Sequence, residues 1–168
     1  MKYFSAAIAT FCLMASVSAK ALEVGDTAPD FTSVHIMQDS SEQVRSIRQT
    51  ERVGQFLILD FFSTTCQYCI ASMSTFSAMA SSLSDVVTSR YMFAEADQTA
   101  IRNFIQRNRA AINVEVSTDP TRQIPRAYGL RYLPTLFLIN PAGVIVYKHI
   151  GLLTQANVAE ITRIVRAP

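Results

Sequence analysis

The chain has 168 residues, a formal charge of +2 and 49% hydrophobic residues, enough for one domain with a proper core. A charge so close to balance, with Lys and Arg scattered along the chain, points to solvated helix faces and away from a nucleic-acid surface. Three cysteines and two histidines are too few for a stabilising disulfide framework.

Met1 to Ala19 carries Lys2 in a short leading region, an apolar run centred on Ala6 to Val17, and the small-residue ending Val17-Ser18-Ala19. This is the pattern of a secretory signal peptide, cleaved after Ala19, or after Ala21 if Ala19-Lys20-Ala21 is read. A retained membrane anchor is the competing reading, but the run falls short of the roughly 20 apolar residues that span a bilayer. The expected organisation is a signal peptide over 1–19 and one domain over 22–168, exported and periplasmic. Cleavage removes Cys12 and leaves Cys66 and Cys69 as the whole cysteine complement. An exported protein with one close pair of cysteines keeps that pair for chemistry.

Gly25 to Phe31 is a turn-rich opening, followed by a short strand over Phe31 to Ile36. Ser40 to Gln55 is polar and reads as irregular, with Val44 and Ile47 as anchors to the core. Leu57 to Phe62 is nearly all apolar, the mark of a strand buried on both faces. Gln67 to Leu83 has helical spacing, with Ile70, Met73, Phe76, Ala80 and Leu83 inward and Ser72, Ser74, Ser77 and Ser81 outward. Arg90 to Ala96 reads as a second buried strand, and Thr99 to Arg109 as a helix with Ile101, Phe104 and Ile105 inward. A short strand over Asn113 to Ser117 precedes a short helix over Pro120 to Tyr128, with Pro120 at its start. Thr135 to Ile139 and Val144 to Lys148 flank the turn Asn140-Pro141-Ala142-Gly143 and predict a hairpin. A last helix covers Gln155 to Val165, capped by Thr154 or Asn157. The order β-α-β-α-β-α-β-β-α predicts a mixed central sheet with helices on both faces, right-handed crossovers and early strands in parallel.

Cys66-Gln67-Tyr68-Cys69 stands at the junction of the apolar strand and its following helix. Two cysteines two residues apart switch between dithiol and disulfide with little backbone movement. The unpaired N–H groups of a helix N-terminus favour a thiolate at the first of them. That is the chemistry of thiol–disulfide exchange. The same spacing supplies half of many zinc sites, but a full site needs two more ligands, and only His35 and His149 remain. The pattern calls for no metal and no cofactor. Asp60 lies within the apolar strand, six residues before Cys66. If buried, it is a proton acceptor or donor with a raised pKa; if at a strand edge, it is an ordinary solvated carboxylate. Pro134 opens another apolar strand, which implies either a sheet edge or a cis peptide at the strand start.

Asp60-Phe61-Phe62, the Cys66–Cys69 pair and Leu133-Pro134-Thr135 together resemble thioredoxin. Within that superfamily the chain is similar to exported TlpA/ResA-type thiol–disulfide oxidoreductases, in the Gly25 to Phe31 opening, the extra segment Thr99 to Tyr128 and the run Leu133 to Gly143. The resemblance implies an α/β thioredoxin-like fold with a TlpA/ResA-type insert. It also implies that Cys66 attacks a substrate disulfide, Cys69 resolves the mixed disulfide and Asp60 helps Cys69 lose its proton. Pro134 would be cis and pack beside the cysteines, with Leu133 and Tyr68 contacting substrate. Implied partners are protein thiols and disulfides and a membrane electron donor or acceptor. Departures are plain: Thr65 stands where the family has tryptophan, and Tyr68, Ser72 and Ser74 replace its proline, glutamate and second proline.

A disulfide oxidant or isomerase is the alternative within the same chemistry, since Cys-x-Tyr-Cys resembles exported isomerases. A thiol peroxidase would use Ser63, three residues before Cys66, but has Leu59 where an upstream proline belongs. A copper-binding module would need Cys66, Cys69 and His149 together. Arg126, Tyr128, Arg131 and Tyr132 are candidates for a substrate-facing surface ahead of Pro134.

Overall fold

The apolar run after Gln55 becomes an interior strand of a seven-stranded mixed sheet. The structure, a computed structural model, describes residues 20–36, 42–47 (backbone only) and 54–167. In chain order the elements are β1 (Phe31–Ile36), β2 (Glu42–Ile47), β3 (Phe56–Phe62), α1 (Gln67–Ser82) and β4 (Val87–Phe93). There follow α2 (Gln98–Arg107), β5 (Glu115–Thr118), α3 (Gln123–Ala127), β6 (Thr135–Ile139), β7 (Ile145–Ile150) and α4 (Gln155–Val165). The leader 1–19, with Cys12, lies outside the described residues.

Strand order is β2-β1-β5-β4-β3-β6-β7. β3, β4 and β5 are parallel and every other pairing is antiparallel. The early parallel pairing therefore holds for β3, β4 and β5, while β1 runs antiparallel to β5. β3 is apolar apart from Asp60 because both its faces are covered. Ile58 and Phe62 share one core with Met73 and Phe76 of α1, Ile101 and Phe104 of α2, and Ile161 of α4. Leu57, Leu59 and Phe61 face the other core, with Ile124, Tyr128 and Phe137. Helices thus cover both faces unequally: three on one, and the short α3 with the N-terminal segment on the other.

Five readings are corrected. Glu42–Ile47 is a strand paired along its length with β1; with Ile47 in phase with Gln43 and Arg45 and not with Val44, its sequence shows no clean alternation. The side chains of Val44 and Ile47 lie outside the described residues. β4 begins at Val87, not Arg90, because the polar Thr88 and Ser89 already pair with Leu57 and Ile58 of β3; Arg90 is buried and ion-paired with Glu115. α3 starts at Gln123, not Pro120; the Asp119 carboxylate accepts N–H bonds from Thr121 (2.9 Å) and Ile124 (2.7 Å) and shapes the preceding turn. Along α1, Ile70 is exposed and Ser72 buried, so the inward stripe is Cys69, Ser72, Met73, Phe76, Met79 and Ala80. Ser72 is tolerated there because its hydroxyl accepts the Leu153 N–H at 3.0 Å. Tyr128 is a core residue, its ring packed on Phe61 and Phe137 at centroid distances of 5.2 and 5.3 Å.

α4 has a reciprocal cap: Thr154 accepts the Asn157 N–H, and Asn157 accepts the Thr154 N–H. At the end of α3 the chain turns through Gly129, with φ +60°. A Cβ there would meet the Ala21 Cα at 2.5 Å and the Lys20 carbonyl oxygen at 2.7 Å. Gly129→Ala combines a left-handed alanine with displacement of this N-terminal segment. The variant is expected to lose about 1–3 kcal/mol of stability in urea denaturation; an unchanged midpoint would contradict this account.

Candidate active site

Cys66 is the N-cap of α1, with extended backbone at φ −84° and ψ 108°. Its sulfur accepts the Cys69 N–H at 3.2 Å, one of the helix's unpaired donors. Cys66 and Cys69 form a disulfide with Cα atoms 5.2 Å apart. Cys66 is half-buried and Cys69 is 1% exposed. Only the first sulfur is therefore open to a protein substrate. Tyr68, between them, is 63% exposed.

Asp60 is 4% exposed on β3, an interior strand between β4 and β6, so the strand-edge reading is excluded. Alternation along β3 turns it to the same face as Ile58 and Phe62, the side of α1 and Cys69. Burial pushes its carboxyl well above the usual carboxylate range. Tyr91 of β4 is its register partner. Burial first, and then the nearby Asp60, push the Tyr91 hydroxyl up as well. That hydroxyl has no hydrogen-bond partner among the described residues.

Leu133–Pro134 is a cis peptide at the start of β6. Phe61 pairs with Thr135, so one step further sets Pro134 beside Phe62, where the cysteine turn leaves the sheet. The Pro134 carbonyl accepts the Gly151 N–H at 3.0 Å, which brings the end of β7 to the same place. Leu133 is partly buried and packs against both cores. Tyr132 is 65% exposed, and Arg126 and Arg131 are exposed.

Other candidates are dispersed. His35 is buried on β1, 4.0 Å from Glu115, on the face away from α1. His149 on β7 lies 3.0 Å from the Leu152 carbonyl and 3.3 Å from the Asn157 amide nitrogen. A small apolar cavity of about 150 Å³ between Tyr128, Tyr132, Phe137 and Ile150 is lined by neither cysteine.

Glu95 escaped the sequence reading. It follows β4, and the register Phe62–Phe93 carries on to place it beside Thr64. Its carboxylate accepts the Thr64 N–H at 3.0 and 3.1 Å and the Ser63 hydroxyl. The usable signal was topological: the C-terminal ends of neighbouring parallel strands are where α/β folds build their sites. The same contacts show that the Ser63 hydroxyl is engaged by Glu95.

A redox-active pair at a strand–helix junction, over a buried carboxyl and beside a cis-proline, defines a thioredoxin-like protein-disulfide oxidoreductase. The chain belongs to the AhpC/TSA family, whose model matches residues 24–148. It is 24% identical over 151 residues to the thiol-disulfide oxidoreductase ResA of Bacillus subtilis, covering 88% of this chain and 78% of that protein. Among solved structures, a DsbE-type thiol:disulfide interchange protein from Chlorobium tepidum superposes with a TM-score of 0.67 at 24% identity, covering 86% of this chain and 96% of that one. The reduced 2-Cys peroxiredoxin of Plasmodium vivax superposes with a TM-score of 0.69 at 18% identity, covering 86% and 94%. These superpositions establish the fold; the paired cysteines distinguish the chemistry.

Proposed function

We propose that the chain is an exported, periplasmic reductant of protein disulfides, reset by a membrane-bound dithiol donor. The observation that carries this is the asymmetry of the pair: a reachable Cys66 at a helix N-cap and a buried Cys69 on the side of Asp60. In the dithiol form, the Cys66 thiolate attacks one sulfur of a substrate disulfide. A mixed disulfide forms, and the other substrate sulfur leaves as a thiolate and takes up a proton. Cys69, its proton passed to the Asp60 carboxylate, then attacks the Cys66 sulfur. The second substrate thiol departs, both electrons now reside on substrate, and the Cys66–Cys69 disulfide is restored. Leu133, Pro134 and Tyr68 form the substrate-facing edge, flanked by the exposed Tyr132 and Leu152.

When ionised, a buried carboxyl with no ion-pair partner among the described residues disfavours a second anion at Cys69, so the dithiol form gains little stabilisation. Strong oxidants of this fold work the opposite way, by stabilising their reduced state. Equilibration with glutathione and dithiothreitol buffers tests the direction. A potential near the thioredoxin value of about −270 mV is expected; one near about −120 mV would make the protein a disulfide donor or isomerase.

A further inference from the structure

We propose that Glu95 is a positioning residue for Cys66: it clamps the turn that presents the nucleophile and sets, through a fixed negative charge, how readily that thiol ionises. The inference rests on the reading of Cys66 as the attacking thiol. The turn from β3 to α1 is four residues long, Ser63 to Cys66, and Glu95 holds the first two. Ser63 donates its hydroxyl to the carboxylate and Thr64 its N–H. Ser63 in turn accepts the Cys66 N–H on its carbonyl at 3.1 Å, and its hydroxyl lies 3.3 Å from that of Thr65. Every residue ahead of the nucleophile is thus tied, directly or through one intermediate, to a single carboxylate.

That carboxylate brings charge as well as shape. Thr64 is two residues from Cys66, a span of about 7 Å at most along the chain. Among the described residues no Lys, Arg or His forms an ion pair with Glu95, so its charge is not locally neutralised. The other titratable or charged side chains on the elements meeting here are Asp60 on β3, Arg90 (paired with Glu115) and Tyr91 on β4, Tyr68 and Cys69 on α1, and Asp97 on the loop with Glu95. Arg131 and Tyr132 precede Pro134, and β7 carries Tyr147, Lys148 (paired with Glu23) and His149. Asp97 is occupied capping α2, accepting N–H bonds from Thr99 and Ala100 at 3.0 Å. The N-terminus of α1 has no acidic residue of its own in its first turn. Helix N–H groups pull Cys66 toward the thiolate, and Glu95 opposes them from the other side.

The two functions separate by substitution. Glu95→Gln keeps an acceptor for the Thr64 N–H and removes the charge; Glu95→Ala removes both. The readout is the pH profile of iodoacetamide alkylation of the reduced protein, with insulin reduction measured in parallel. Glu95→Gln is expected to lower the Cys66 thiolate pKa by about half a unit to one unit, a thiolate fraction about three- to tenfold higher at pH values below it. Above the thiol pKa the same change makes the potential less negative by about 15–30 mV. An unchanged alkylation profile in Glu95→Gln, or a shift seen only in Glu95→Ala, overturns the charge role and leaves Glu95 a structural clamp. Wild-type protein that fails to reduce insulin would overturn the functional reading instead, while the alkylation comparison still decides the part played by Glu95.

Discussion

Cys69→Ser protein, reduced and mixed with a disulfide-bonded substrate, is expected to accumulate a mixed disulfide through Cys66 and to stall there. In the proposed mechanism the buried second sulfur releases substrate, and serine cannot form the exchange bond. Cys66→Ser should behave differently. It leaves only a thiol that is 1% exposed, which a folded substrate cannot reach, so neither turnover nor adduct is expected. Both variants should lose about a thousandfold or more in insulin reduction. Non-reducing gels and mass spectrometry distinguish them. An adduct forming at Cys69 in Cys66→Ser, at a rate similar to that of Cys66, would reverse the assigned roles.

The second large effect concerns Asp60. Its carboxyl titrates at an ordinary 3.8 in the unfolded chain, and burial raises it well above that in the folded protein. The folded state therefore holds a proton over a window in which the unfolded chain has released it. The contribution of Asp60 to stability is greatest below about pH 4, falls as pH rises toward the folded pKa, and levels off above it. Each unit of upward shift corresponds to about 1.4 kcal/mol. Asp60→Asn keeps the shape and cannot ionise, so it should be more stable than wild type at pH 8 and closer to it at pH 5. Urea denaturation of the two oxidised proteins at both values measures the gap. A gap that narrows toward alkaline pH would show that Asp60 has a stabilising partner when charged. In reduced protein, the same substitution should slow breakdown of the mixed disulfide at Cys66, because Cys69 loses its proton acceptor.

Much of this site was legible because its chemistry is local in sequence. A strand, a short turn and a helix place Cys66 and Cys69, while the apolar strand around Asp60 left burial and a strand edge both open until the sheet order was known. Pro134 was legible as an exception to strand chemistry. The misreadings arose where tertiary contacts override a local pattern. Ser72 sits inside because Leu153, 81 residues away, supplies its partner. Ile70 sits outside because the buried stripe of α1 is set by Cys69. Thr88 and Ser89 look like the polar lead-in to a strand until β3 pairs with them at Leu57 and Ile58. Glu95 was invisible for a related reason. Its partners lie 31 and 32 residues back, and only the parallel register of β3 and β4 brings them together.

The placement of β5 between β1 and β4 has a bearing on synthesis. β1 and β2 are made early and can pair at once as a hairpin, but the inner edge of β1 stays open until β5 emerges. About 80 residues separate Ile36 from Glu115, which at about 5–20 residues per second is roughly 4–16 s of translation. Throughout that interval the hairpin presents unpaired backbone donors and acceptors to any neighbouring chain. A holding factor that binds extended segments would act on this nascent protein in that interval, and its hold would loosen once Glu115–Thr118 closes the gap.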